Sequence, residues 1–428
     1  MKYFLVILLF LGQSIMAATL HYIELNNQKI PLIFEEDKRL PLVNVQFVFQ
    51  NAGSITNTQK AGLARFSAKM LNQGTKKLGS FGFAQELEQR AIHISSTTGI
   101  ETFVTEIGSL KEQFDEALGF YKELLKDPNF TQESLEKLQT ITIGSITKKE
   151  NDFDYIASKG LKKLLFEGTV LAKPSLGTVE SVKSFTLNDV EEFIAKHLNQ
   201  SQLIVVAGGD IELDEIVAKL KPLIALLPQG KKEALPFFEA SKEVKEKIVK
   251  RNTQQAYIYF GSPYNLRVND EQTYIARVAT FILGTGGFGS RLMEEIRVKQ
   301  GLAYSAYARV NLSNSSSYFS GYLQTKTDSL KQAQKSVKEV IEKFVKEGVT
   351  KEELEQTKKF LLGSEPLRSE TLSQRLQRSF MEYYKGFELG HSKKELEKIN
   401  SLTLDELNSY IKKHTEITNL SFSIVTQE

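Results

Sequence analysis

Apolar and polar positions along this chain switch between two periods. Alternation at every second residue predicts strands over Val43 to Gln50 and Ala256 to Gly261. Each is followed by apolar residues at helical spacing, Lys60 to Leu71 and Asp270 to Leu283, and in the second of these Tyr274, Val278 and Ile282 share one face. Further strands and amphipathic helices follow in each half, with helix starts marked by Thr131 and by Thr350, the latter with Glu353 at capping-box spacing. The final strand of each half comes after its last helix. This mixed order predicts an α+β protein in which helices pack on largely antiparallel sheets.

The pattern is also doubled. FTQESLEKL around Thr131 matches VTKEELEQT around Thr350, 219 positions on. FTLNDVEEFI around Leu187 matches LTLDELNSYI around Leu404, and LIVVAGGD from Leu203 matches LSFSIVTQE from Leu420, both 217 positions on. A near-constant offset marks duplication and fusion of one domain, and two copies are too few for a solenoid. The expected organisation is two homologous domains, 18–230 and 252–428, joined by a linker over 231–251 that is rich in charge and contains Pro236.

Composition narrows the classes. A chain of 428 residues is long enough for two cores, and 41% hydrophobic with 25% charged residues is ordinary for a globular protein. The formal net charge of +3 gives no reason to expect nucleic acid as a partner. Residues 1–17 carry an early Lys2 and an apolar run from Tyr3 to Gly12, with small residues at Ala17 and Ala18, the layout of a secretory signal peptide cleaved after Ala17. No later segment reaches the roughly 18 apolar residues of a membrane helix, so no membrane span is expected in the mature chain. The absence of cysteine excludes disulfides, thiolate metal ligands and a lipid-bearing cysteine. Together these point to an exported, periplasmic protein.

Candidate chemistry concentrates in FILGTGGFGSRLMEEIRVKQGLAYSAYA, Phe281 to Ala308. Gly284, Gly286, Gly287 and Gly289 make a flexible loop, Ser290 is placed to cap a charged helix, Gly301 ends that helix, and Leu302 to Ala308 alternates as a strand. Arg297 then lies near the helix end and Tyr304 on the strand. Brought together across the turn, a guanidinium and a phenol can both donate hydrogen bonds to one substrate carbonyl. The same two residues are also readable as a helix C-terminal charge and a half-buried strand residue. Gly284, Gly286 and Gly289 satisfy G-x-G-x-x-G, but a dinucleotide site needs a strand before the loop, and here a helical pattern precedes it. Two roles for the loop stay open: contact with peptide or partner, or a tight turn alone.

The order of glycine-rich loop, Ser-Arg-Leu, acidic helix, Arg and Gly-Leu-Ala-Tyr resembles the C-terminal half of the pitrilysin-type zinc peptidases. These are the inverzincins, among them mitochondrial processing peptidase and bacterial heterodimeric members. The resemblance implies two domains joined as a clamp, with Arg297 and Tyr304 binding substrate near the scissile bond. It also implies an H-x-x-E-H motif on a helix in the first half, where two histidines hold zinc and the glutamate activates water. In AGLARFSAKMLNQGT that motif falls on Arg65, Phe66, Ser67, Ala68 and Lys69, and the family's third ligand, a Glu, falls near Ser145, with Glu150 a nearby carboxylate.

Arg65 and Lys69 place two cations where zinc needs neutral imidazoles, and Ala68 cannot take a proton. The five histidines, His21, His93, His197, His391 and His414, include no pair at i, i+3 or i+4 spacing, and no G-x-S-x-G elbow occurs. The leading expectation is a non-catalytic subunit of a heterodimeric zinc metallopeptidase. Zinc would sit in a homologous partner that carries H-x-x-E-H, while this chain supplies Arg297 and Tyr304 in trans to the peptide substrate. A stand-alone peptide-binding or chaperone-like module is the alternative, and an independently active zinc peptidase is a third reading.

Overall fold

A computed structural model describes residues 17–25 and 27–427, so nearly all of the expected signal peptide lies outside the described residues. The first half builds a six-stranded sheet from β1 (Thr19–Leu25), β2 (Gln28–Glu36), β3 (Leu42–Gln50), β4 (His93–Thr98), β5 (Thr102–Leu110) and β6 (Leu203–Gly209), in the order β1-β2-β6-β3-β5-β4. All neighbours are antiparallel except β2 and β6. The second half adds β7 (Phe238–Glu239), β8 (Glu246–Lys250), β9 (Gln255–Pro263), β10 (Ala303–Leu312), β11 (Ser316–Lys326) and β12 (Ser421–Thr426). Their order is β10-β11-β9-β12-β8, with β7 beside β11. Reading β8 for β2 and so on to β12 for β6 reproduces the first arrangement, including the parallel pair of β12 with β8. The sequence repeat is therefore a repeat of topology. The protein is α+β with two homologous domains.

Alternation explains which face of each sheet meets which helices. On β3, Val43, Val45, Phe47 and Phe49 enter the main core of the first domain, while Val48 joins Ile33, Ile204 and Val206 on the reverse face. β6 is buried throughout and carries a continuous apolar run, as a central strand covered on both faces requires.

The reverse faces are closed by an exchange of helices. Phe153–Phe166 leaves the first half to pack on β9 and β12, and Leu372–Tyr384 leaves the second half to pack on β2 and β6. The two helices begin 219 positions apart, the offset that separates Thr131 from Thr350. Gly160 lets the first helix sit against Ser423, whose Cβ would lie 3.2 Å from any Cβ added at Gly160. Leu376 and Phe380 bury on the first sheet, and Leu161, Leu165 and Phe166 bury beside Tyr318 on the second. Each such side chain contributes about 1.5–3 kcal/mol.

Polar contacts lock the exchange. The Arg375 Nε and Nη2 donate to Glu35 and Asp37, both at 2.6 Å, and Glu101 accepts from the Ser315 amide at 2.7 Å. The halves thus form one interlocked clamp.

Several boundaries differ from expectation. The stretch 231–251 is not a free linker, because β7 pairs with β11 and β8 pairs with β12 inside it. The first helix starts at Leu63 rather than Lys60, after Gly62 with φ +90°. The helix expected over Asp270 to Leu283 runs from Thr273 to Thr280 and continues as a wide turn over Phe281–Thr285. Thr131 and Thr350 do cap, each accepting from a backbone amide three residues on.

Candidate functional site

Leu63–Leu71 packs against helix Gln132–Lys149 beneath the first sheet, and the positions at which the family would place zinc ligands meet there. Arg65 is exposed, Ala68 is buried and Lys69 is half-buried. The Lys69 ammonium reaches the Thr142 hydroxyl at 3.4 Å, and Ser145 lies one turn beyond Thr142 on the same helix, donating to the Ile141 carbonyl at 2.9 Å. The Lys69 pKa is lowered by burial and, secondarily, by the Arg65 charge. Two cations, a methyl group and a serine are not a donor set for zinc. Among the described residues no group of three or more His, Cys, Asp or Glu could hold a metal ion. The histidines sit apart in local packing: His414 stacks on Tyr264 and pairs with Glu416, and His391 stacks on Phe387.

In the second domain the turn expected between helix and strand is present. Met293–Lys299 is wound wider than an α-helix, a geometry frequent at functional sites, and it ends at Gly301 with φ +63°. Ser290 does not cap through its side chain: its hydroxyl donates to the Gly287 carbonyl at 2.8 Å, while its backbone carbonyl accepts from the Glu294 amide at 2.9 Å. β10 begins with a bulge between Ala303 and Ala306, which throws Tyr304 outward until it is 82% exposed. The half-buried strand position allowed for Tyr304 is thereby corrected.

Arg297 and Tyr304 meet. The guanidinium carbon lies 4.6 Å from the Tyr304 ring centroid and 4.5 Å from that of Phe288, so aromatic rings cover the cation from the loop and from the strand. Among the described residues no carboxylate lies within ion-pair distance of Arg297 and no side-chain hydrogen bond engages it. Its N–H edges are free for a ligand. Arg291, by contrast, is engaged, donating from Nε and Nη2 to Glu353 at 2.6 and 2.8 Å. A cavity of about 550 Å³ beside the loop is lined by Gly289, Arg291, Glu295, Lys299 and Glu353, a set that excludes Arg297 and Tyr304. The pair stands outside that cavity, with Arg297 half-buried and Tyr304 on open surface.

The glycines divide. Gly284 abuts the Ala308 backbone, where an added Cβ would lie 2.6 Å from the carbonyl oxygen, and Gly286 packs on Phe281. Gly287 and Gly289 face open space. The loop's aromatic, Phe288, was not singled out from the sequence. Tyr259, Tyr307 and Tyr322 line up across three strands of the second sheet; the alternation in AYIYF and SGYLQ signals the first and last of these, whereas the bulge between Ala303 and Ala306 breaks the period before Tyr307.

Duplicated α+β domains, metal-motif positions on a helix of the first and an Arg/Tyr pair on the second define a two-domain peptidase scaffold. Residues 33–179 match the family described as Insulinase (Peptidase family M16), and residues 184–361 match the Peptidase M16 inactive domain. The chain belongs to peptidase family M16.

It is 43% identical over 427 residues to a Helicobacter pylori protein named non-peptidase homolog YmxG, covering 100% of this chain and 99% of that one. It is 26% identical over 312 residues to an uncharacterized zinc protease of Rickettsia felis, covering 73% and 75%. Among solved structures, a peptidase M16 inactive domain from Pseudomonas fluorescens superposes with a TM-score of 0.89 at 22% identity, covering 96% of this chain and 99% of that one. The periplasmic protease PqqL from Escherichia coli gives a TM-score of 0.79 at 13% identity, covering 96% and 47%. The structural likenesses are likenesses of fold. No helix among the described residues is long and apolar enough to cross a membrane.

Proposed function

We propose that this chain is the non-catalytic subunit of a heterodimeric zinc metallopeptidase. The observation that carries the reading is a split: the zinc-motif positions hold Arg65, Ala68, Lys69 and Ser145, while Arg297 stands beside Tyr304 on open surface with no ion-pair partner among the described residues. Similarity to a protein named a non-peptidase homolog supports the first half of that split.

In this reading Arg297 orients the peptide, and the Tyr304 hydroxyl donates to the scissile carbonyl oxygen as it gains charge. Hydrolysis itself falls to the zinc site of a homologous partner with H-x-x-E-H. The chain is exported, on the strength of Lys2 and the apolar run that follows it.

Co-expression with an H-x-x-E-H homologue tests the assignment. Tyr304→Phe is expected to lower kcat of the complex by about 100-fold or more, the loss typical of one oxyanion donor. Unchanged cleavage would remove Tyr304 from the mechanism, and purification of a lone homodimer from the native source would favour a peptide-binding module instead.

A further inference from the structure

Helix Phe153–Phe166 packs mainly on β9 and β12 and reaches β11 through Phe166 against Tyr318, while on the same face of β10 Tyr307 and Asn311 stay half-buried and Arg309 is exposed. On that face Tyr307, Tyr322 and Tyr259 stand directly opposite one another on β10, β11 and β9. Their rings are 5.7 and 4.8 Å apart, and all three are half-buried. The Tyr259 hydroxyl donates to Asp154 of the exchanged helix at 3.0 Å, and the Tyr322 hydroxyl donates to Gln324 at 3.1 Å. The result is an aromatic floor walled on one side by a helix from the other half of the chain.

Cations without counter-charges surround this floor. Arg309, two positions beyond Tyr307 on β10, is exposed, and the Lys162 ammonium lies 4.0 Å from the Tyr318 ring centroid. At the other end of the wall Lys149 lies 4.9 Å from the Tyr155 ring centroid, and Arg65 is close enough to Tyr155 to act on its hydroxyl. None of these four cations has a carboxylate within ion-pair distance among the described residues. Two carboxylates face the same surface, Asp154, already occupied by Tyr259, and Glu150 beside Tyr155. The excess is local, since the whole chain carries only +3. Of the four, Lys149 and Lys162 are half-buried and so least screened by solvent, and they gain most from a partner that brings the opposite sign.

We propose that this trough, from Arg65 and Tyr155 across the tyrosine row to Arg309, binds an acidic polypeptide segment that also carries aromatic or apolar side chains. Carboxylates of the segment pair with Arg309, Lys162 and Arg65, and its apolar side chains lie on the tyrosine rings. Tyr304 stands at the start of the same strand as Tyr307 and Arg309, so a segment held here continues toward Arg297. Single-stranded nucleic acid fits less well, because rings 4.8 and 5.7 Å apart and tilted by 46° and 50° leave no slot for a base between them. The inference rests on the peptide-holding part of the function proposed above and not on the existence of a zinc-bearing partner.

Fluorescence anisotropy on the isolated mature chain tests it without any cleavage assay. The probes are a labelled 12-residue peptide of alternating Glu and Phe/Leu, its Gln and Lys counterparts, and a single-stranded oligonucleotide. The Glu peptide is expected to bind about tenfold or more tighter than the Gln peptide, with affinity falling as salt rises. Arg309→Glu and Arg65→Glu, both at exposed positions, are each expected to weaken it about fivefold, with circular dichroism unchanged. Lys346→Glu, on helix Leu330–Glu347 over the other face of the sheet, serves as the charge-matched control.

Equal affinity for Glu and Gln peptides, no difference between the trough variants and Lys346→Glu, or tighter binding of the oligonucleotide would each overturn the proposal. Acidic-peptide binding together with unaltered cleavage by Tyr304→Phe in the complex would sink the in-trans mechanism and leave the trough standing.

Discussion

Arg375 on the exchanged helix Leu372–Tyr384 is the sharpest point at which to test how the two halves are held. Its guanidinium is fully used: Nε to Glu35 at 2.6 Å, Nη2 to Asp37 at 2.6 Å and Nη1 to the Glu370 carbonyl at 2.9 Å. Glu35 is 2% exposed, and its second oxygen has no partner. Burial pushes the Glu35 pKa up, against the pull of Arg375. Asp37 is held well below the usual carboxylate range chiefly by Arg39, which stays in place when Arg375 is removed.

Arg375→Met therefore strands one carboxylate, Glu35, in the core, and the expected loss at pH 7 is about 3–5 kcal/mol. Glu35→Gln in the same background removes the stranded charge and should recover roughly half of it. The pH dependence has a definite sign. With Arg375 gone, Glu35 in the folded protein titrates still further above 4.5, so the folded state holds more protons than the unfolded state across that window. The deficit should then be smaller at pH 5 than at pH 7. Urea denaturation followed by tyrosine fluorescence, with 15 tyrosines and no tryptophan in the chain, reads both quantities. A loss under about 1 kcal/mol, or a Glu35→Gln change that adds to the damage, would refute the reasoning.

Three further outcomes follow from other sites. Gly284→Ala drives a methyl group into the Ala308 backbone and should cost about 1–3 kcal/mol, whereas Gly289→Ala, with open space around it, should cost under about 0.5; equal shifts in thermal denaturation would contradict the packing. Arg65→His, Ala68→Glu, Lys69→His and Ser145→Glu together should bind about one zinc by metal analysis, since the two helices already adjoin; no bound zinc would mean that these positions are not spaced as a ligand scaffold. Lys162, pushed down to about 8 by burial, makes the unfolded chain hold more protons than the folded one between pH 8 and 10.5, so wild-type stability should rise there relative to Lys162→Met by on the order of 2 kcal/mol. A constant difference from pH 7 to pH 10 would rule that out.

Much of the domain plan could be read in advance because it depends on short-range order. Alternation in Val43 to Gln50 and helical spacing in Leu63 to Leu71 are local properties, and the offset between Thr131 and Thr350 needs only comparison of the chain with itself. The chemistry missing at Arg65, Ala68 and Lys69 was equally legible, since no folding turns an arginine into a neutral metal ligand.

What the sequence could not determine is which surfaces meet across long separations. The 231–251 stretch looked like a linker because charge and Pro236 dominate it; β8 becomes part of the second sheet only because β12, some 170 residues on, offers it a parallel edge. Nothing local says that Phe153–Phe166 belongs on the other domain's sheet, that Arg375 will find Glu35, or that a bulge will throw Tyr304 outward into contact with Arg297. Sequence by itself determined the class, the duplication and the lost metal chemistry, because those lie in residue identity and period. The tertiary structure alone decided how the clamp closes and which side chains share a face, because burial and charge pairing are set by neighbours that the chain order keeps hundreds of residues apart.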